Sequence, residues 1–191
     1  MLIIGYHGTS FTNAREIVKY GFSADHFPRW TGDLGSGVYG YIQATDRPFA
    51  TAEYNAAVYV ALKADMHRLK PWSNRPKYGK PKTAVVQFKV DVYEDDVCDF
   101  TDYQPYDNFV ELKARLGLYI HARMPFSPGA SYRDNEDGWL IEYLIQKRLV
   151  HDYAVFQMDT YSPFVSRSSN FANGREICVR RLETISNLRL I

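Results

Sequence analysis

The sequence predicts an α+β fold in a single domain spanning residues 1–191, and three observations carry that prediction. Segments of strand and helix periodicity follow one another in irregular order, without the strict alternation of a parallel α/β chain. Several strand-like runs cluster late in the chain. With 191 residues, 46% of them hydrophobic, there is material for one well-buried core and too little for two.

The elements follow in order. Leu2 to Tyr6 reads as a buried strand that breaks off at His7, Gly8 and Thr9. Thr12 or Asn13 then caps a helix in which Ala14, Ile17 and Val18 share a face, with Glu16 three residues after Asn13 as a capping box requires and Gly21 as the stop. The glycine-rich "TGDLGSGVYGYI" is a loop leading into a short strand through Val38 and Ile42. "RPFATAEYNAAVYVALKA" predicts the longest helix, with Pro48 in its first turn. "HRLKPWSNRPKYGKPK" is a loop by its Pro and Gly content, and "TAVVQFKVDVY" alternates as a strand with Val86, Phe88, Val90 and Val92 pointing one way. "YDNFVELKARLG" predicts a helix ending at Gly117, "FSPGASYRDNEDG" a polar loop and "WLIEYLIQKRL" another helix. "DYAVFQM" is a strand, "DTYSPFVSRSSNFANG" a loop, and "REICVRRL" and "NLRLI" the last strands.

Composition narrows the function. A formal net charge of +1 offers no global attraction to nucleic acid or membrane, so such a partner needs a local patch. No apolar run approaches the roughly 20 residues of a membrane span, and Met1 leads into a strand without a basic leader, which points to a cytoplasmic protein with no membrane partner. Cys98 and Cys178 form no CxxC pair and fit small buried hydrophobes in a reducing compartment. The five histidines include no pair at short ligand spacing, so no metal is expected. An aromatic share of 15% suits either core packing or a site that stacks rings.

Three separated pieces carry chemistry: "YHGTS" at residues 6–10, "GSGVY" at 35–39 with "TAEY" at 51–54, and "GREICV" at 174–179. In this order they resemble ADP-ribosyltransferases of the diphtheria-toxin and poly(ADP-ribose) polymerase type, the His-Tyr-Glu group. The resemblance implies a split β-sandwich of two small sheets with flanking helices, NAD as co-substrate in the cleft, and His7, Tyr39 and Glu176 as the catalytic set. It implies NAD binding through His7, Gly8, Thr9, Tyr39, Thr51 and Tyr54.

The chemistry explains these residue types. Breaking the bond from ribose to nicotinamide develops positive charge on the sugar, which a fixed carboxylate, here Glu176, stabilises. The plainer alternative makes Glu176 a surface residue paired with Arg175 or Arg180. Neutral His7 can exchange hydrogen bonds with a ribose hydroxyl on the adenosine side, where Thr9 adds its own. Gly8, without a Cβ, lets its backbone pair with the nicotinamide carboxamide. Tyr39 and Tyr54 would sandwich the electron-poor ring, with Tyr41 and Tyr59 as competitors, and Thr51 would bond the carboxamide. Gly174 stands two before Glu176, where arginine-modifying relatives carry Gln or Glu, which disfavours arginine as acceptor.

The implied activity is mono-ADP-ribosyl transfer to a macromolecular acceptor, RNA, DNA or protein, by a bacterial or phage-related toxin, effector or defence enzyme, with an inhibitor (antitoxin) protein as a further partner. Two alternatives stand beside it: an NAD glycohydrolase at the same cleft, and a non-catalytic module that binds NAD or a partner. A basic run, Lys63, Arg68, Lys70, Arg75, Lys77, Lys80 and Lys82 interleaved with Trp72 and Tyr78, matches a single-stranded nucleic-acid contact or a solvated loop.

Overall fold

The computed structural model describes residues 1–27, 32–69, 82–121, 133–161 and 172–191. Parts of the three loops expected around 64–82, 121–138 and 160–173 lie outside these residues, and with them Lys70, Trp72, Arg75, Lys77, Tyr78 and Lys80 of the basic run. The elements are β1 (Leu2–Ser10), α1 (Phe11–Tyr20), β2 (Val38–Ile42), α2 (Ala52–Leu69), β3 (Thr83–Asp91), β4 (Val97–Asp99), α3 (Tyr103–His121), α4 (Arg133–Gln146), β5 (Val155–Thr160), β6 (Gly174–Val179) and β7 (Ile185–Leu190). The class is α+β. Among the described residues no helix is long and apolar enough to cross a membrane.

The described strands form one mixed seven-stranded sheet, order β4-β5-β6-β2-β1-β3-β7, where two small sheets were expected. Its two halves meet at β1 and β2, which pair through only Gly5↔Ile42 and Tyr6↔Tyr41. β4 and β5 run parallel, and the other paired strands are antiparallel.

Side chains alternate across the sheet. On one face Ile3, Val38, Phe88, Val90, Ile177 and Val179 form the largest apolar cluster, with Phe22 and Phe27 packed against it. Val86, Phe88, Val90 and Val92 are all buried, as their alternation predicts, each worth about 1.5–3 kcal/mol when removed from water. On the other face α2 covers β1, β2 and β3, its Ala52 and Ala56 packing with Tyr41 and Val85 of the sheet, and Ile141 of α4 packs with Phe156 and Cys178. Both cysteines are free and buried, as expected of small hydrophobes.

Several boundaries differ from the sequence reading. β1 does not stop at Tyr6; it continues through His7-Gly8-Thr9 to Ser10 because β3 pairs with it over its whole length. Ser10, not Thr12 or Asn13, caps α1, its hydroxyl accepting from the Asn13 N–H at 3.2 Å. α2 starts at Ala52, leaving Pro48 in the connector, and runs on to Leu69. α3 passes through Gly117 to His121, and α4 begins at Arg133.

Candidate active site

The site begins with the backbone phase of β1. Val92 N–H donates to the Met1 carbonyl at 3.1 Å, and Phe11 N–H to the Lys82 carbonyl at 2.9 Å. The β1–β3 register is constant between these points, so odd-numbered residues of β1 bond to β3 and even-numbered ones turn N–H and C=O the other way. Tyr6 thereby meets Tyr41 of β2. Gly8 turns its N–H and C=O in the same direction, but there the β1–β2 ladder has ended. The same argument holds on β2. Arg180 N–H donates to the Ala154 carbonyl at 2.9 Å, which makes Ile177 bond to Gly40 and directs the backbone of Tyr39 and Tyr41 toward β1. Past Tyr6 and Tyr41 the strands part, and Gly8 and Tyr39 line the two sides of the opening.

His7 bridges it. Its Nδ1 lies 2.7 Å from the Tyr39 carbonyl oxygen. A carbonyl only accepts, so Nδ1 carries the proton, and the neutral ring keeps Nε2 as an acceptor. Burial holds the imidazole below its ordinary pKa, the nearby Lys63 charge adds to that, and the Tyr39 bond opposes it. His7 is therefore neutral at physiological pH. Its ring stands edge-on to Phe22 at 5.4 Å.

Glu176 lies opposite Tyr41 in the β2–β6 register, so strand alternation puts it on the α2 side of the sheet with Tyr39, Tyr41 and Cys178. Burial raises its carboxyl to about 8, Asp33 pushes the same way, and Lys63 opposes both. Neither arginine neighbour pairs with it. Arg175 bonds Asp159 at 2.8 Å and Asp46 at 3.1 Å, and Arg180 bonds Glu142 and Asp152. The surface ion-pair alternative for Glu176 does not describe this arrangement.

Tyr39 shapes the glycine-rich loop. Its hydroxyl accepts from the Leu34 N–H at 2.9 Å and donates to the Gly35 carbonyl at 2.8 Å. A Cβ on Gly32 would stand 2.4 Å from that hydroxyl, so only glycine fits against the ring. Burial raises the phenol far above its ordinary pKa, and it stays protonated. Glu142 of α4 completes the clasp, accepting from Ser36 N–H at 2.7 Å while bound to Arg180. Asp33 is carried within this loop, close enough in charge to influence both Tyr39 and Glu176.

The remaining candidates divide. Gly8 has a second reason to be glycine: a Cβ there would stand 2.2 Å from the Ala56 carbonyl oxygen of α2. Thr9 lies two residues after His7 on β1, on the same face of the sheet and in register with Ala84. Thr51 caps α2, its hydroxyl oxygen accepting from the Tyr54 N–H at 3.3 Å. Tyr54 is 56% exposed on α2, whereas Tyr59 pairs edge-on with buried Tyr41 at 6.2 Å. Gly8, Tyr39 and Glu176 thus lie on the α2 face, whereas His7, opposite Val86, belongs to the face of Phe88 and Val90 and reaches across the opening to the Tyr39 carbonyl; Tyr59 makes a ring contact with Tyr41. Sequence reasoning missed Asp33, which no motif marks, and counted Lys63 only within the basic run. The helical spacing from Ala56 and Val60 is the signal that would have found Lys63.

Comparison with protein-family models gives no match, and comparison with curated proteins gives none either.

Proposed function

We propose that this chain is an NAD-dependent mono-ADP-ribosyltransferase. The observation that supports it most is the parting of β1 and β2 after Tyr6 and Tyr41, which turns the Gly8 N–H and C=O toward an opening bordered by a neutral histidine, with Glu176 on the adjoining strand. A donor and an acceptor on one glycine match a carboxamide, which offers one of each. Nε2 of His7 accepts from a ribose hydroxyl. Glu176, as a carboxylate, faces the sugar from which nicotinamide leaves with the electron pair of the broken bond, while the acceptor attacks the same carbon and loses its proton.

Incubation with labelled NAD and a cell extract, followed by protease or nuclease, tests this reading. Label retained on a macromolecule supports transfer and identifies whether the acceptor is protein or nucleic acid. Release of free ADP-ribose alone would favour the glycohydrolase, and absence of any NAD turnover would remove the enzymatic reading.

A further inference from the structure

Helix α2 lays a stripe of small and apolar residues on the sheet: Ala52, Ala56 and Val60 are all buried, four residues apart. Ala56 and Val60 both crowd the Cα of Gly8, at the opening. The next turn brings Lys63. Seven residues from Ala56, it lies within about 20° of the same helix direction and roughly 10 Å further along the axis. Lys63 is exposed although it shares the direction of these buried residues, so at this turn the helix has passed beyond the packed sheet.

The side chain is consistent with that position. Its Nζ lies 4.6 Å from the centre of the Tyr59 ring, which in turn meets Tyr41 opposite Glu176. Among the described residues Lys63 forms no ion pair. Its charge lowers the pKa of both His7 and Glu176, so it stands within electrostatic reach of the two residues that flank the cleft.

We propose that Lys63 is the cation that receives the diphosphate of the dinucleotide, an assignment that rests on the NAD reading of this cleft. With one ribose at His7, on the face of Phe88, and the other at Glu176, on the α2 face, the dianionic diphosphate joining them crosses the opening beside Gly8, where Val60 precedes Lys63 on α2. An exposed ammonium suits it, because three donors on a flexible stem follow a phosphate chain without a fixed geometry. Lys63 therefore belongs to donor binding rather than to the single-stranded nucleic-acid contact that the basic run suggests.

Calorimetric titration of the full chain with ADP-ribose and with adenosine tests the assignment on wild type, Lys63→Met and Lys63→Arg. Lys63→Met is expected to weaken ADP-ribose about tenfold or more, with Lys63→Arg within about threefold of wild type and adenosine changed less than twofold throughout. The wild-type affinity for ADP-ribose should also fall with added salt more steeply than that of Lys63→Met. Equal ADP-ribose binding by wild type and Lys63→Met would overturn the role of Lys63 and leave the NAD reading intact. An equal loss for adenosine would overturn it too, since Lys63 would then act through His7 or the fold. Failure of wild type to bind ADP-ribose and NAD at all would remove both readings together.

Discussion

Glu176 holds its carboxyl in a place that disfavours its own charge, and that tension separates two consequences of one substitution. In the folded chain the group rises from its ordinary 4.5 to about 8. Below pH 4.5 folded and unfolded chains both bind the proton; between 4.5 and 8 only the folded chain keeps it. Stability therefore falls as pH rises through this window, and the deficit is complete above 8. Glu176→Gln, never charged, escapes it. Its melting temperature should match wild type near pH 5 and exceed it near pH 9, by about 2–4 °C for each kcal/mol relieved. A temperature difference that does not change with pH would refute the burial argument. Activity should move the opposite way, with Glu176→Gln losing transfer by about 10²-fold or more. Wild-type turnover should climb with pH until the carboxylate is formed.

The aromatic residues illustrate what sequence does and does not convey at this scale. His7 and Glu176 stand out in the sequence because each is a chemically distinctive residue within a strand-like run, but only the pairing register shows that they belong to opposite faces of the sheet. The exposure of Tyr54 was not legible, because the period of a helix relates its side chains to one another but does not say which of them meets the sheet. Placing the start near Pro48 instead of Ala52 obscured the cap at Thr51 and the outward position of Tyr54. If a ring of α2 stacks on nicotinamide, Tyr59→Ala should weaken NAD binding by roughly 1–3 kcal/mol and Tyr54→Ala by much less. The reverse order in a binding titration would restore Tyr54 and displace Tyr59.

At the scale of the element, β1 is one strand with two allegiances. Its apolar half, Leu2 to Tyr6, was visible in the sequence; its polar half, His7 to Ser10, looked like a turn because the side chains there are not those of a buried strand. Continuous pairing with β3 overrides that local preference, and only the β2 side loses its partner. Amide exchange should read this difference along the chain. The N–H groups of His7 and Thr9 bond to β3 and should be protected, while that of Gly8, turned to the opening, should exchange faster than both. Addition of NAD should then slow Gly8 more than its neighbours. A Gly8 amide as protected as Thr9 in the free protein would contradict the phase derived for β1.

For the whole molecule, the class of fold was legible and the sheet order was not. Periodicity reports which face a strand buries, but no local pattern says that β6 pairs with β2, or that β1 lies between β2 and β3. β4, with three residues, is too short to carry a period at all. A tertiary contact adds to the short β1–β2 ladder at the junction of the two halves: the Phe88 ring lies under the crossing of β1 and β2. A Cβ on Gly5 would stand 2.3 Å from its Cζ and one on Gly40 2.9 Å, so both strands are glycine where they pass over the ring. Gly5→Ala should overpack this contact and cost about 1–3 kcal/mol. Phe88→Leu alone should also destabilise, by loss of contact area and a partial cavity. Because a leucine removes the ring atoms that the new methyl would strike, the double variant should be more stable than the sum of the single losses predicts. Denaturant unfolding of the four proteins measures that coupling. Additivity within about 0.5 kcal/mol would mean that Gly5 and Phe88 act independently, and the junction of the two half-sheets would need a different keystone.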